Sequence, residues 1–235
     1  MLSGHFAPAL LAHEKQLPKG ALLYFLIASQ IQDLIWLVFH YLGLERTVPS
    51  DAFNVTLQSL TVDMLYSHDL YPQIVWLFIV FIAGKLFFKS NKLGLVGAAI
   101  TLSHILLDLV SGYPHHLFGE HTHDIGLGLY VTNVYLAILI EALFIAVLLG
   151  IFFKRQTKMG VSRSRSNMLS IIGVFVGGVL FILFIASISL RTWFGIPEFT
   201  IPINTTIPVL MLTYGGLVFY LNHLVSKITY SKQLN

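Results

Sequence analysis

Six apolar runs, at roughly 20–43, 71–89, 93–113, 128–152, 168–190 and 203–225, leave this chain few choices of fold. The hydrocarbon core of a bilayer is about 30 Å thick, and about 20 helical residues cross it. Backbone groups deprived of water must bond within their own segment, so runs of this kind are helices. Of 235 residues, 56% are hydrophobic and 11% charged, and the mean hydropathy is +0.78. A soluble domain is excluded. The expected fold is all-α, a polytopic membrane helical bundle of about six transmembrane helices. Residues 1–14 are apolar but too short to cross, and carry His5 and His13. They read as a short N-terminal re-entrant or interfacial helix. A signal peptide is not expected, because the basic leading region is missing and Lys15 and Lys19 follow the apolar part. The absence of cysteine removes disulfides, thiolate metal sites and cysteine nucleophiles.

The net charge of +3 is explained by topology, with no nucleic-acid partner. Lys85, Lys89 and Lys92 lie between the second and third runs, and Lys154, Arg155, Lys158, Arg163 and Arg165 between the fourth and fifth. Lys227 and Lys232 follow the sixth, and Lys15 and Lys19 precede the first. The basic residues thus fall in alternate loops on one side, read as cytoplasmic. Loops 44–70, 114–127 and 191–202 fall on the other, with Arg46 and Arg191 as exceptions. There is no internal repeat. The basic stretch 154–167 divides a four-run unit, 1–153, from a two-helix extension, 168–235.

Against this background a few polar residues stand out. His104 and Asp108 are four residues apart in the third run, so they share one helix face. His-x-x-x-Asp is half of a divalent-metal site, since both side chains reach one ion from adjacent turns. Charged groups at the centre of a membrane helix cost about 2.5–3.5 kcal/mol on insertion scales, so a pair calls for a reason. Counting about 1.5 Å per residue from the basic end, Asp33 lies about 21 Å in, His104 about 18, Asp108 about 24, His68 about 26 and His5 about 15. Five potential ligands from four segments therefore converge on one slab in the outer half of the bilayer. His40 returns to the face of Asp33 nearer the outer surface, and His115, His116, His121 and His123 crowd the loop above.

Structural readings stand beside these. Buried Asp and His pairs also join membrane helices by hydrogen bonds, which is open for His104, Asp108 and Asp33, and a lone His5 has the same reading. The loop histidines are either solvated or in contact with metal or substrate. Glu141, deep in the fourth run, either orients an imidazole or is a glutamic acid bonded between helices. Trp36, Tyr66, Trp76 and Tyr130 read as interfacial or core aromatics, and loop 154–167 as a topogenic, headgroup-facing segment.

Ser3-Gly4-His5-Phe6-Ala7, Gln32-Asp33-Leu34, Tyr66-Ser67-His68 and Leu102-Ser103-His104-x-x-x-Asp108 stand in an order that resembles bacterial membrane-bound metal-dependent hydrolases. They are similar to the LexA-regulated inner-membrane group, as are Gly126-Leu-Gly128-Leu-Tyr130 and Glu141. That group is in turn distantly like the zinc-dependent phospholipase C and single-strand nuclease superfamily. The resemblance covers about residues 1–153. It implies His5, Asp33, His68, His104 and Asp108 as ligands of a divalent metal, zinc first among the candidates, with Asp33, His104 and Asp108 at the catalytic centre. Two positions depart from the pattern: Gln32-Asp33 stands where Pro-Asp is frequent, and Ser67-His68-Asp69 where Ser-His-Ser is, so Asp69 is a possible extra ligand.

The expected activity is metal-dependent hydrolysis of a phosphoester or lipid ester, on a membrane lipid or lipid-linked substrate. The expected location is the outer, periplasmic face of a bacterial inner membrane. A divalent metal lowers the pKa of water to about 7 and polarises a phosphoryl oxygen. Serine catalysis is disfavoured, because the side chains of the adjacent Ser103 and His104 diverge by about 100° on a helix and no Gly-x-Ser-x-Gly elbow is present. The alternatives are a metal-ion or proton transporter using the same cluster, or a non-catalytic scaffold. Transport predicts polar residues continuing to the cytoplasmic side, where they are scarce.

Overall fold

The computed structural model of the chain describes residues 3–14, 17–198, 203–227 and 229–230, so Lys15 and Lys232 lie outside the described residues. The short α1 (Phe6–Leu11) is followed by α2 (Ala21–Ala28) and α3 (Ile31–Tyr41). A ribbon of β1 (Arg46–Val48) and β2 (Thr61–Asp63), with a 3-10 turn at Ala52–Asn54 between them, leads to the α4 (Leu70–Phe88) and α5 (Asn91–Ser111) hairpin. A second small ribbon, β3 (His115–His116) with β4 (Asp124–Ile125), precedes α6 (Leu129–Thr132) and the long α7 (Val134–Lys158). The chain continues through β5 (Val161–Ser162), α8 (Arg165–Phe184), α9 (Leu190–Phe194), α10 (Thr206–Ser226) and β6 (Thr229–Tyr230), which pairs with β5.

Helices α4, α5, α7, α8 and α10 are long and apolar enough to cross a membrane, and α2 with α3, taken together across a bend of 65°, passes the same test as a broken span or a re-entrant loop. The chain is a multi-pass helical membrane protein, as its composition implied. Large apolar side chains on the outside of the bundle, such as Phe78, Leu86, Leu143 and Leu212, are what a lipid-facing surface requires. The α4–α5 hairpin is closely packed because Gly84 meets Gly94. A Cβ on Gly84 would lie 2.7 Å from the Gly94 Cα, so any larger residue would drive the helices apart.

The break in the first span differs from the single straight helix expected over 20–43. No proline marks it; Ser29 and Gln30 simply fall between α2 and α3. The carbonyls it frees are bonded from α5: Thr101 Oγ1 donates to Ala28 O at 2.9 Å, and His104 Nδ1 lies 2.8 Å from Ser29 O. Irregular backbone at membrane depth persists where neighbouring side chains satisfy it. The straight-helix depth for Asp33, which ignored this bend, is therefore too large.

Helix α1, expected to be re-entrant or interfacial, is enclosed by the bundle. Phe6, Ala9 and Leu10 are fully buried, packed against α2, α5 and α7. The extension shares this core: Ile171 and Phe175 of α8 and Ile207, Val218 and Leu221 of α10 join Phe6, Phe25 and Phe152 in one apolar cluster. The two arginines that broke the charge alternation face acids. Arg46 sits opposite Asp63 in the ribbon, and Arg191 Nη2 lies 2.5 Å from Asp51 Oδ2.

Candidate metal centre

The five site residues reach the interior from four pieces of chain. Asp33 occupies the first turn of α3, just after the break, and His104 and Asp108 lie on the buried face of α5. His5 immediately precedes α1. Its neighbour Gly4 donates its backbone N–H to Glu141 Oε1 on α7 at 2.8 Å, and Tyr130 OH reaches Glu141 Oε2 at 3.4 Å. A Cβ on Gly4 would stand 3.0 Å from the Glu141 side chain, so a larger residue here requires that side chain to shift. Glu141 therefore anchors the backbone beside His5; of the two readings above, bonding between segments is the one observed.

His68 sits in the turn before α4. Its backbone N–H donates to Met64 O at 2.9 Å, and the Gln73 amide donates to its carbonyl. Ser67 Oγ lies 2.7 Å from its Nδ1. Glu45 holds the turn from beneath, accepting the N–H groups of Tyr66 and Ser67, both at 2.8 Å. Burial raises the pKa of its carboxyl, an effect those donors offset in part. Asp69 adds no ligand. Its oxygens accept from His116 N at 3.0 Å and Gly119 N at 2.6 Å, pinning the following loop.

The five residues meet. His5 Nε2 lies 3.1 Å from Asp108 Oδ1, and His104 Nε2 3.1 Å from Asp108 Oδ2. His68 Nε2 lies 3.4 Å from Asp33 Oδ1 and 3.9 Å from Asp108 Oδ2. The imidazoles of His5 and His104 stack at 3.6 Å, 13° from parallel. Two groups of metal-binding size result, His5–His104–Asp108 and Asp33–His68–His104, each with ligand atoms within 4.8 Å of one another. They share His104. All five residues are buried, the two carboxylates no more than 6% exposed.

This donor set fits a divalent cation. Ligand atoms about 2.0–2.2 Å from one tetrahedral ion stand about 3.3–3.6 Å apart, close to the spacings here. With its Nδ1 on the Ser29 carbonyl, His104 keeps the Nε2 lone pair for a ligand, the arrangement common behind metal-bound histidines. Two carboxylates in an apolar interior also require compensating charge, and one dication supplies it. The buried His/Asp groups can therefore hold a metal ion.

Three residues of the cluster, Asp33, His68 and Asp108, border a partly open cavity of about 110 Å³. Asp33, His68, Asp108, Tyr113, His115 and Tyr130 line its polar side, and Trp36, Leu57, Leu60, Met64 and Ile185 contribute apolar surface. Sequence reasoning did not connect the extension with this site, yet Phe181 and Ile182 of α8 and Leu210 and Tyr214 of α10 reach the cavity. It also left the loop histidines undivided. His115 is buried beside His68, with rings 5.8 Å apart and 8° from parallel, and burial lowers its pKa to about 4. His116 instead pairs with Asp124 at 2.8 Å, and His121 is exposed. His40 lies 3.1 Å from the Asn204 side chain, away from the cluster.

Comparison with family models, with curated proteins and with solved structures finds no match.

Proposed function

We propose that the chain is an integral membrane metal-dependent hydrolase acting on a phosphoester or lipid ester at the outer face of a bacterial inner membrane, with zinc as its metal. One observation carries the reading: three imidazoles and two carboxylates, drawn from four segments, converge inside a membrane bundle, and Asp33, His68 and Asp108 among them line a largely apolar cavity. A divalent cation bound there supplies Lewis-acid polarisation of a phosphoryl or carbonyl oxygen and lowers the pKa of water to about 7. The chain's own contribution is positional. Asp108 touches His5, His104 and His68, so one carboxylate holds three imidazoles in register. Asp33 orients His68 from the other side. The apolar walls exclude bulk water and suit a substrate that approaches from the bilayer.

The resemblance to the LexA-regulated membrane hydrolases points the same way. A transporter reading has less support. Toward the Asn91 end of α5 the core is built mainly from large apolar side chains, Phe25, Leu26, Leu93, Ile100, Leu149 and Phe152 among them, surroundings that disfavour a passing ion.

A proton can bridge the same imidazole–carboxylate pairs, so the test separates the two. Asp108→Asn keeps size and hydrogen bonding but loses charge. If the cluster is a metal site, purified wild type carries stoichiometric divalent metal and hydrolyses a lipid phosphate or ester from a screen, and Asp108→Asn loses metal and activity together while still folded. Full metal occupancy in the variant, or none in wild type, refutes the proposal.

A further inference from the structure

His115 is the polar group in the cavity that neither the fold nor the metal grouping accounts for. Tyr113 OH donates to Leu57 O at 2.8 Å, the Tyr130 hydroxyl is on Glu141, and Tyr214 is directed at Asp33. His115 is 2% exposed, and its Nε2 is buried without a hydrogen-bond partner. Among the described residues it belongs to neither metal-sized group. A buried imidazole nitrogen left unpaired is costly, and in native structures such an atom calls for a specific reason. The loop carrying it is held: Asp69 accepts from the backbone amides of His116 and Gly119, and β3–β4 pairing closes the ribbon.

Its position is equally specific. On one side lies the cavity, apolar toward Phe181, Leu210 and Ile182. On the other is a smaller pocket of about 50 Å³ whose lining includes Asp69, His116, Gly119 and Glu120. His115, with Val62 and Met64, lines both. A water needs about 10–15 Å³ on this measure, so the larger space admits a group of several heavy atoms. A ligand in the larger space beside His115 lies between the apolar surface of Phe181, Ile182 and Leu210 and the polar side supplied by Asp33, His68 and Asp108.

We propose that His115 binds a phosphoryl oxygen of a lipid phosphoester whose hydrocarbon chain lies against α8 and α10. This deepens the hydrolase reading and rests on it. His115 is a substrate-binding residue whose imidazole N–H donates to the phosphoryl oxygen, and the extension, 168–235, forms the chain-binding wall. Helices without a polar motif thereby acquire a role in substrate selection.

The test measures binding of inorganic phosphate and of octyl phosphate to the metal-loaded full chain in detergent micelles, alongside metal stoichiometry. Wild type binds octyl phosphate more tightly than inorganic phosphate. His115→Ala keeps its metal and weakens both probes about ten-fold or more, the loss of one hydrogen bond to a charged group. His115→Gln, whose amide can donate, recovers part of this. Leu210→Trp narrows the apolar side, removes the advantage of the octyl chain and leaves inorganic phosphate unchanged. Loss of metal in His115→Ala would make it a ligand and overturn the proposal. Unchanged phosphate affinity in that variant, or equal effects of Leu210→Trp on both probes, would overturn it too. Wild type that takes up no metal defeats the hydrolase reading first, an outcome distinct from metal-loaded protein indifferent to phosphate.

Discussion

Glu141 is not one of the five site residues, yet replacing it by leucine is expected to weaken metal binding. Its carboxylate accepts the buried Gly4 N–H at 2.8 Å, one residue from His5, and leucine is close in size but has no acceptor. An unpaired buried donor costs about 1–3 kcal/mol. The other backbone bonds near Gly4, Phe6 N to Ser3 O and Ala7 N to Gly4 O, lie within the same segment and do not hold it to α7. The cost therefore falls on the docking of residues 3–5. If metal binding must restore that docking, 1–3 kcal/mol becomes a loss of about 5- to 150-fold in affinity. Glu141→Gln retains a carbonyl that can accept from Gly4 and should stay close to wild type. Zinc affinity measured against a competing chromophoric chelator, with thermal unfolding in parallel, reads both variants. The reasoning fails if the leucine variant binds as tightly as wild type. It fails equally if glutamine and leucine lose the same amount, since the carboxylate charge rather than the hydrogen bond would then be responsible.

Two further outcomes follow from the basic end of the bundle. Burial, and then the charge of Arg163, lowers the His13 pKa to about 4 from its ordinary 6.5. The unfolded chain then takes up a proton that the folded chain refuses, so His13 reduces stability as pH falls from 6.5 toward 4 and has no such effect above that window. His13→Gln should match wild type in thermal unfolding near neutral pH and gain on it progressively toward pH 4; a pH-independent difference contradicts this. For orientation, a cysteine introduced at Glu120 should react with an impermeant thiol reagent added from outside, and one at Gly160 should not; the reverse places the site at the inner leaflet.

The apolar runs made the fold class legible, because burial in lipid demands long uninterrupted stretches of one composition. Hydropathy cannot register what backbone does inside such a stretch, so the break at Ser29 and Gln30 was invisible, as was the true start of α7 after Asn133, whose side chain accepts from Leu136 N. The candidate ligand positions were conspicuous in the sequence because a buried aspartate or histidine is expensive. The cavity walls were not. Phe181 and Leu210 look like any lipid-facing residue until the helices are assembled, since one side chain serves either environment. His115 and His121 share a loop and a composition; only the hydrogen bonds of Asp69 tell which one turns inward.

Several bonds that close the bundle join distant parts of the chain. Ser50 O accepts from Thr205 N at 2.8 Å, Arg191 reaches Asn54 and Asp51, and Gly4 meets a residue 137 positions away. A ribosome inserts such a protein from one end, and contacts of large sequence separation form late because loop closure must precede them. His5 emerges first, but its anchor on α7 appears only after more than half the chain has been made. The cavity stays open to lipid on one flank until Thr206–Ser226 arrives. The cluster therefore matures after insertion rather than during it, and a partly inserted chain holds its histidines and aspartates without the enclosure that would retain a substrate.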